Sequence, residues 1–118
     1  MKSVDRFNRI YLHGSPVDFR KYINGLSLLV EQYMDLSPFD DALFCFTNKS
    51  RDQIRLLYWD QNGFSLWMKR LEKDRFHWPS SKKSKHISID KRQLEWLLDG
   101  VDIKKIKTHQ ALNYQSLY

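Results

Sequence analysis

Short apolar runs alternate with polar residues along most of the chain, and Gly, Asn and Asp punctuate them at close intervals. "RIYLH", Arg9–His13, alternates as a short strand and stops at Gly14. In "SPVDFRKYINGLSLLVEQYM", Ser15, Pro16 and Asp18 form a helix-start signal. Leu26, Leu29, Val30 and Tyr33 recur at i, i+3, i+4 and i+7, so a helix is predicted from about Gly25 to Met34, with Asn24-Gly25 splitting off a first turn. "ALFCFTN" (Ala42–Asn48), "QIRLLYWD" (Gln53–Asp60) and "FSLWMKRL" (Phe64–Leu71) read as three strands, and "RFHWP" as a fourth, short piece. Their connections span only a few residues, which excludes parallel pairing among them. After the Ser/Lys loop "SSKKSK", Asp90 is placed as N-cap of "KRQLEWLLDG", where Leu94, Leu97 and Leu98 share a face and Gly100 ends the helix. The prediction is an α+β domain over 1–103: an antiparallel β-meander of four or five strands with two helices packed mainly on one face. Residues 104–118 are expected to form a loosely held tail.

The hairpin at "DQNG" closes in either of two registers. A two-residue loop at Asn62-Gly63 sets Trp59 opposite Leu66 and Arg55 opposite Arg70, mixing charged and apolar residues on both faces. A three-residue loop, Gln61-Asn62-Gly63 with Gly63 left-handed, separates them. Ile54, Leu56, Tyr58, Phe64, Leu66 and Met68 then share one face, and Arg55, Leu57, Trp59, Ser65, Trp67 and Lys69 the other. Because a one-residue slip moves every side chain across the sheet, and each buried large apolar side chain is worth about 1.5–3 kcal/mol, the second register is preferred. It leaves an aromatic and basic surface suited to phosphates and stacked bases. The alternative is that a helix covers this face and its tryptophans are core.

Charge sharpens this picture. The formal net charge is +6, yet residues 1–50 hold six basic and six acidic side chains, and residues 51–118 fourteen and eight. Within 69–92, nine basic residues face three acidic ones. A polyanionic partner, nucleic acid or an anionic surface, follows from such asymmetry, as does a merely solvated basic face. Cys45 stands alone in an apolar run, which excludes an internal disulfide framework and fits a packed thiol in a reduced, cytoplasmic setting. No stretch approaches the length of a membrane span. The four histidines lack metal-ligand spacing, the four glycines form no phosphate loop, and no cofactor is expected. Asp52, Asp60, Glu72 and Asp74 flank strands and suggest a small metal-dependent nuclease, but they sit in turns rather than side by side.

The strings "SPVDFRKYINGL", "SPFDDALFCFTNKSRDQIRLLYWDQNGFSLWMKRLEKDRFHWP" and "QLEWLLDGVD" resemble the small accessory protein (Orf2, TnpB-type) of insertion sequences of the IS sixty-six type. The resemblance runs from about Arg9 to Ile103 and is most specific through Leu57-Tyr58-Trp59-Asp60, Gly63-Phe64, Lys69-Arg70-Leu71-Glu72, Arg75-Phe76 and Trp78-Pro79. The chain departs from the family pattern at Tyr22, Asn24, Asp41 and Asp74, all in turns. The resemblance implies a part in transposition of a bacterial mobile element, beside a larger transposase that supplies the strand-transfer chemistry. It carries over no catalytic residues and does not extend to the RNA-guided nucleases that share the TnpB label. The combined expectation is a non-enzymatic accessory factor that binds DNA through Arg55, Trp67, Lys69, Arg70, Lys73 and Arg75, with Lys82, Lys83 and Lys85 as a phosphate-contacting loop. The alternative is an adaptor that docks on the transposase without touching DNA.

Overall fold

The structure is a computed structural model that describes residues 6–81 and 83–103; the expected tail over 104–118 lies outside them. Five strands, β1 (Arg9–His13), β2 (Ala42–Thr47), β3 (Gln53–Asp60), β4 (Gly63–Arg70) and β5 (His86–Ile89), form one sheet in the order β4-β3-β2-β1-β5. The α+β class and the count of four or five strands agree with the sequence reading. The pairing is antiparallel except between β1 and β2, which run parallel from Arg9↔Ala42 to Leu12↔Cys45. That parallel pair is possible because the segment between them, 14–41, is long enough to carry a helical crossover. The crossover helix α1 (Ile23–Leu28) continues as a wider π-helical stretch, Leu29–Tyr33. It starts later than Ser15 and Pro16 suggest, with Tyr22 at its N-cap position. Asp18 does not cap it but binds Arg20 instead.

The two helices lie on opposite faces of the sheet, which corrects the expectation of both on one face. Leu94 and Leu97 of α2 (Lys91–Leu98) pack with Leu43, Cys45, Ile54 and Leu56, while Leu26 and Val30 pack with Ala42, Phe44, Phe46 and Leu57. The cause is visible in β2, where all six residues are buried. An unbroken apolar run is what a central strand covered on both sides requires.

α2 is held as its sequence predicts. The Asp90 side chain accepts from the Gln93 backbone N–H at 2.8 Å, and the Gln93 side chain accepts from the Asp90 N–H at 2.9 Å. Gly100, at φ 84°, closes the other end in the left-handed conformation. Asp90→Ala is expected to cost about 1 kcal/mol in urea denaturation, the usual penalty for a lost N-cap. A loss well below that would mean the helix is held by packing alone.

"RFHWP" is not a strand of the sheet; the fifth strand is "HISI", hidden from sequence reading behind the Ser/Lys run. Residues 71–81 instead form an extended strap that crosses from β4 at one edge of the sheet towards β5 at the other. The Leu71 N–H donates to Asp52 O, the Phe76 N–H to Arg51 O, the Trp78 indole to His13 O, and the Ser81 N–H to Gly14 O. A Cβ at Gly14 would lie 2.7 Å from Ser84 O, so only glycine lets the backbone after Ser81 approach β1 this closely.

Candidate nucleic-acid interface

The β3–β4 hairpin turns on Gln61-Asn62, with Asp60 opposite Gly63, Trp59 opposite Phe64, Leu57 opposite Leu66 and Leu56 opposite Trp67. This overturns the preferred three-residue loop, and it differs from the two-residue alternative as well. Gln61 takes the left-handed conformation, at φ 58°, and Gly63 does not, being the first residue of β4. Trp67 and Lys69 therefore share the face of Ile54, Leu56 and Tyr58. Arg55 and Trp59 share the opposite face with Leu57, Phe64, Leu66 and Met68. The single aromatic and basic sheet face proposed from sequence does not form.

Its members have other tasks. The Arg55 guanidinium lies 4.3 Å from the centroid of the Phe19 ring and donates through Nη1 to the carbonyls of Phe19 and Lys21, at 3.0 and 2.9 Å. It thereby ties the loop before α1 to the sheet. Lys69 donates from Nζ to Leu98 O at 2.9 Å, placing a cation on the carbonyl end of α2. Trp67 is half-buried against the core cluster that includes α2. Trp59 packs against Phe39 and Phe64, with ring centroids 5.0 Å from each.

The remaining cations converge by topology. Since β1, β2 and β4 run one way and β3 and β5 the other, His13, the turn after Thr47, Arg70 and His86 all meet at one end of the sheet. Arg70, Lys73, Arg75, Lys83 and Lys85 are exposed there; Lys82 lies outside the described residues. Lys49 and Arg51, in the β2–β3 turn, join them, and Phe76 N–H···O Arg51 holds the strap against that turn. Sequence reading missed both because they fall at the boundary between the neutral and the basic parts of the chain. Along the strap, Arg75 and His77 are exposed while Phe76, Trp78 and Pro79 are buried. Alternation thus survives without a ladder partner, turning apolar side chains into the core and basic ones to solvent.

Not every cation at this end is available. Arg70 pairs with Glu72 at 3.1 Å and Lys85 with Asp35 at 3.7 Å, both on the surface, where such pairs are weak. Arg20, nearby in the loop before α1, grips Asp18 through Nε and Nη2. That hydrogen bonding, with a smaller contribution from the charge of Lys49, holds the Asp18 carboxyl down to about 2. Among the described residues no three His, Cys, Asp or Glu side chains come together as a metal site. Burial pushes the Cys45 thiol well above its ordinary range, as befits a packed core group.

His13 sits beneath this end. Its Nδ1 is 2.7 Å from Ser15 O, its ring stacks on Tyr33 at 4.7 Å, and its buried Nε2 has no hydrogen-bond partner. Burial lowers its pKa from the ordinary 6.5, the Ser15 carbonyl opposing in part. Above 6.5 both folded and unfolded chains hold a neutral imidazole, and stability is unaffected. As pH falls from there through the lowered folded value, the unfolded chain binds the proton first, so stability declines. Urea midpoints measured from neutral to mildly acidic pH are expected to show this slope, and His13→Phe to flatten it. An unchanged slope in His13→Phe would assign the acid sensitivity to another group.

A family model described as IS66 Orf2 like protein (TnpB_IS66) matches residues 8–108. Two proteins of Sinorhizobium fredii are similar. The uncharacterised y4hO is 34% identical over 94 residues, covering 80% of this chain and 81% of its own. The uncharacterised y4jC is 36% identical over 100 residues, covering 84% of each chain. No solved structure matches. No helix among the described residues is long and apolar enough to cross a membrane. The matched region contains the whole five-stranded sheet, both helices and the strap, and the chain belongs to the IS66 Orf2-like family, which places it in the transposition of insertion sequences.

Proposed function

We propose that this chain is a non-enzymatic transposition factor that binds DNA electrostatically through the basic end of its sheet. The contacting residues are Arg70, Lys73, Arg75, Lys83 and Lys85, with Lys49 and Arg51 beside them and Lys82 between them in sequence. Arg55, Trp67 and Lys69 act from within, fixing the loop and helix that frame this end. The observation that carries the reading is the convergence at one end of the sheet: the strap, anchored by buried Phe76 and Trp78, holds Lys73 and Arg75 to solvent, with Glu72 and Asp74 alternating with them, beside Arg70, Lys83 and Lys85. Lysines and arginines gathered at one end of a fold neutralise phosphates and release counterions, which needs no base recognition. In this role the protein gathers element DNA for a transposase that performs the chemistry.

Gel shift with duplex from an element end tests it. Affinity is expected to fall steeply with salt, with a log–log slope of roughly −4 if about four or five phosphates are neutralised. No shift at low salt, or a shift indifferent to salt, overturns the reading.

A further inference from the structure

A recess of about 480 Å³ lies between the loop before α1 and the β2–β3 turn, and Arg55 forms part of its wall from β3. Val17, Phe19, Lys49 and Ser50 line it as well. Its two sides are pinned together. The Val17 N–H donates to Thr47 O at 2.8 Å, and the turn is braced by Asn48, whose side chain donates to Asp52 and accepts from the Gln53 N–H. A cavity with walls fixed in this way gives up little freedom when a ligand fills it.

Arg55 is held there in an incompletely satisfied state. Both of its hydrogen bonds run through Nη1, to Phe19 O and Lys21 O, and the centroids of the Phe19 and Tyr22 rings lie 4.3 and 5.9 Å from its guanidinium carbon. Its Nε is buried and has no partner. A buried donor without an acceptor is destabilising, so a folded protein that keeps one beside a cavity calls for an explanation. Tied at Nη1 and packed against rings, the guanidinium keeps its Nε–Nη2 edge, a fork that matches paired oxygens of an oxyanion.

Charge and size select the ligand. Asp18 and Arg20 also line the recess, but they are paired with each other at 2.6 Å and cancel. Among the described residues neither Lys49 nor Arg55 has an ion pair, so two positive charges stand uncompensated. A phosphate monoester, with close to two negative charges at neutral pH, balances them where a carboxylate would not. The Ser50 hydroxyl, on the same rim, supplies a further donor. A duplex is too wide to enter a recess of this size.

We propose that this recess is a binding site for a phosphate monoester, its oxygens held by Arg55 and Lys49 with Ser50 at the mouth. The monoester is either the terminal phosphate of a DNA strand or free phosphate. This goes beyond the DNA-binding reading and does not depend on it, since that reading concerns phosphodiesters along a duplex, and Arg55 adds nothing to the salt slope of a duplex with hydroxyl ends.

Titration of the isotope-labelled full chain with inorganic phosphate, against sodium chloride at equal ionic strength, tests the proposal by nuclear magnetic resonance. The Arg55 Nε–H resonance is expected to shift saturably with phosphate and not with chloride. Ser50→Glu sets a carboxylate at an exposed position on the rim and is expected to raise the phosphate dissociation constant by roughly tenfold or more. Arg55→Lys, which keeps the charge and loses the fork, is expected to weaken binding similarly, with urea denaturation reporting whether it folds. Gel shifts then separate the two sources. A preference for a terminally phosphorylated strand over a hydroxyl-ended one, lost in Ser50→Glu, assigns the site to DNA ends, and equal affinity assigns it to free phosphate. An Arg55 resonance indifferent to phosphate, or a response unchanged in Ser50→Glu, overturns the proposal whatever the strap does with a duplex.

Discussion

Trp78→Ala is expected to destabilise the protein by about 3–5 kcal/mol, the range for truncating a large buried aromatic. Trp78 is 6% exposed and belongs to the cluster that holds Phe76, Leu94 and Leu97. Its indole N–H also satisfies the carbonyl of His13 at 2.9 Å, so the truncation opens a cavity and leaves a buried acceptor unpaired. Trp78→Phe separates the two effects, keeping most of the apolar volume and losing the hydrogen bond, for a cost nearer 1–2 kcal/mol. Urea denaturation followed by far-ultraviolet circular dichroism measures both without relying on the deleted fluorophore. If Trp78→Ala costs under about 1 kcal/mol, the strap is a passenger on the sheet rather than part of its core.

Lys73→Glu/Arg75→Glu is expected to reduce DNA affinity by at least about tenfold at moderate salt and to lower the log–log salt slope by roughly two, close to one for each phosphate contact removed. Both side chains are exposed on the outward side of the strap, so the fold should be unaffected. Arg55→Gln provides the contrast. Arg55 is bound to two backbone carbonyls and stacked on Phe19, so its loss should appear in stability and leave the salt slope unchanged. A slope that responds to Arg55→Gln and not to the strap variant would place DNA on the sheet face instead.

These contrasts follow the division between what was legible in the sequence and what was not. Local signals held. Asp90 capped α2, the Leu94/Leu97 stripe faced the core, and the runs around Ala42–Thr47 and Gln53–Asp60 became strands at nearly the expected bounds. The family string was legible too, because its order over many residues is specific where any dipeptide is not. What failed was decided by long-range packing. Asn62-Gly63 is a strong hairpin signal, yet the turn moved one residue towards the N-terminus, with Gln61 left-handed. That register buries part of Trp67 against the α2 side and leads Lys69 to the end of α2. The rule that apolar faces should segregate was satisfied by two covered faces rather than one. β2, buried at every position, was the clue that both faces would be covered.

The strap and β5 also bear on the order in which the molecule can be built. β1 emerges first, yet its outer neighbour is His86–Ile89, paired from Ile10↔Ile89 to His13↔His86. Contacts so distant in sequence form late, after the cost of closing a long loop. Until β5 is in place the outer margin of β1 lacks its ladder partner, so the sheet is sealed on that side by chain that follows every other strand in sequence.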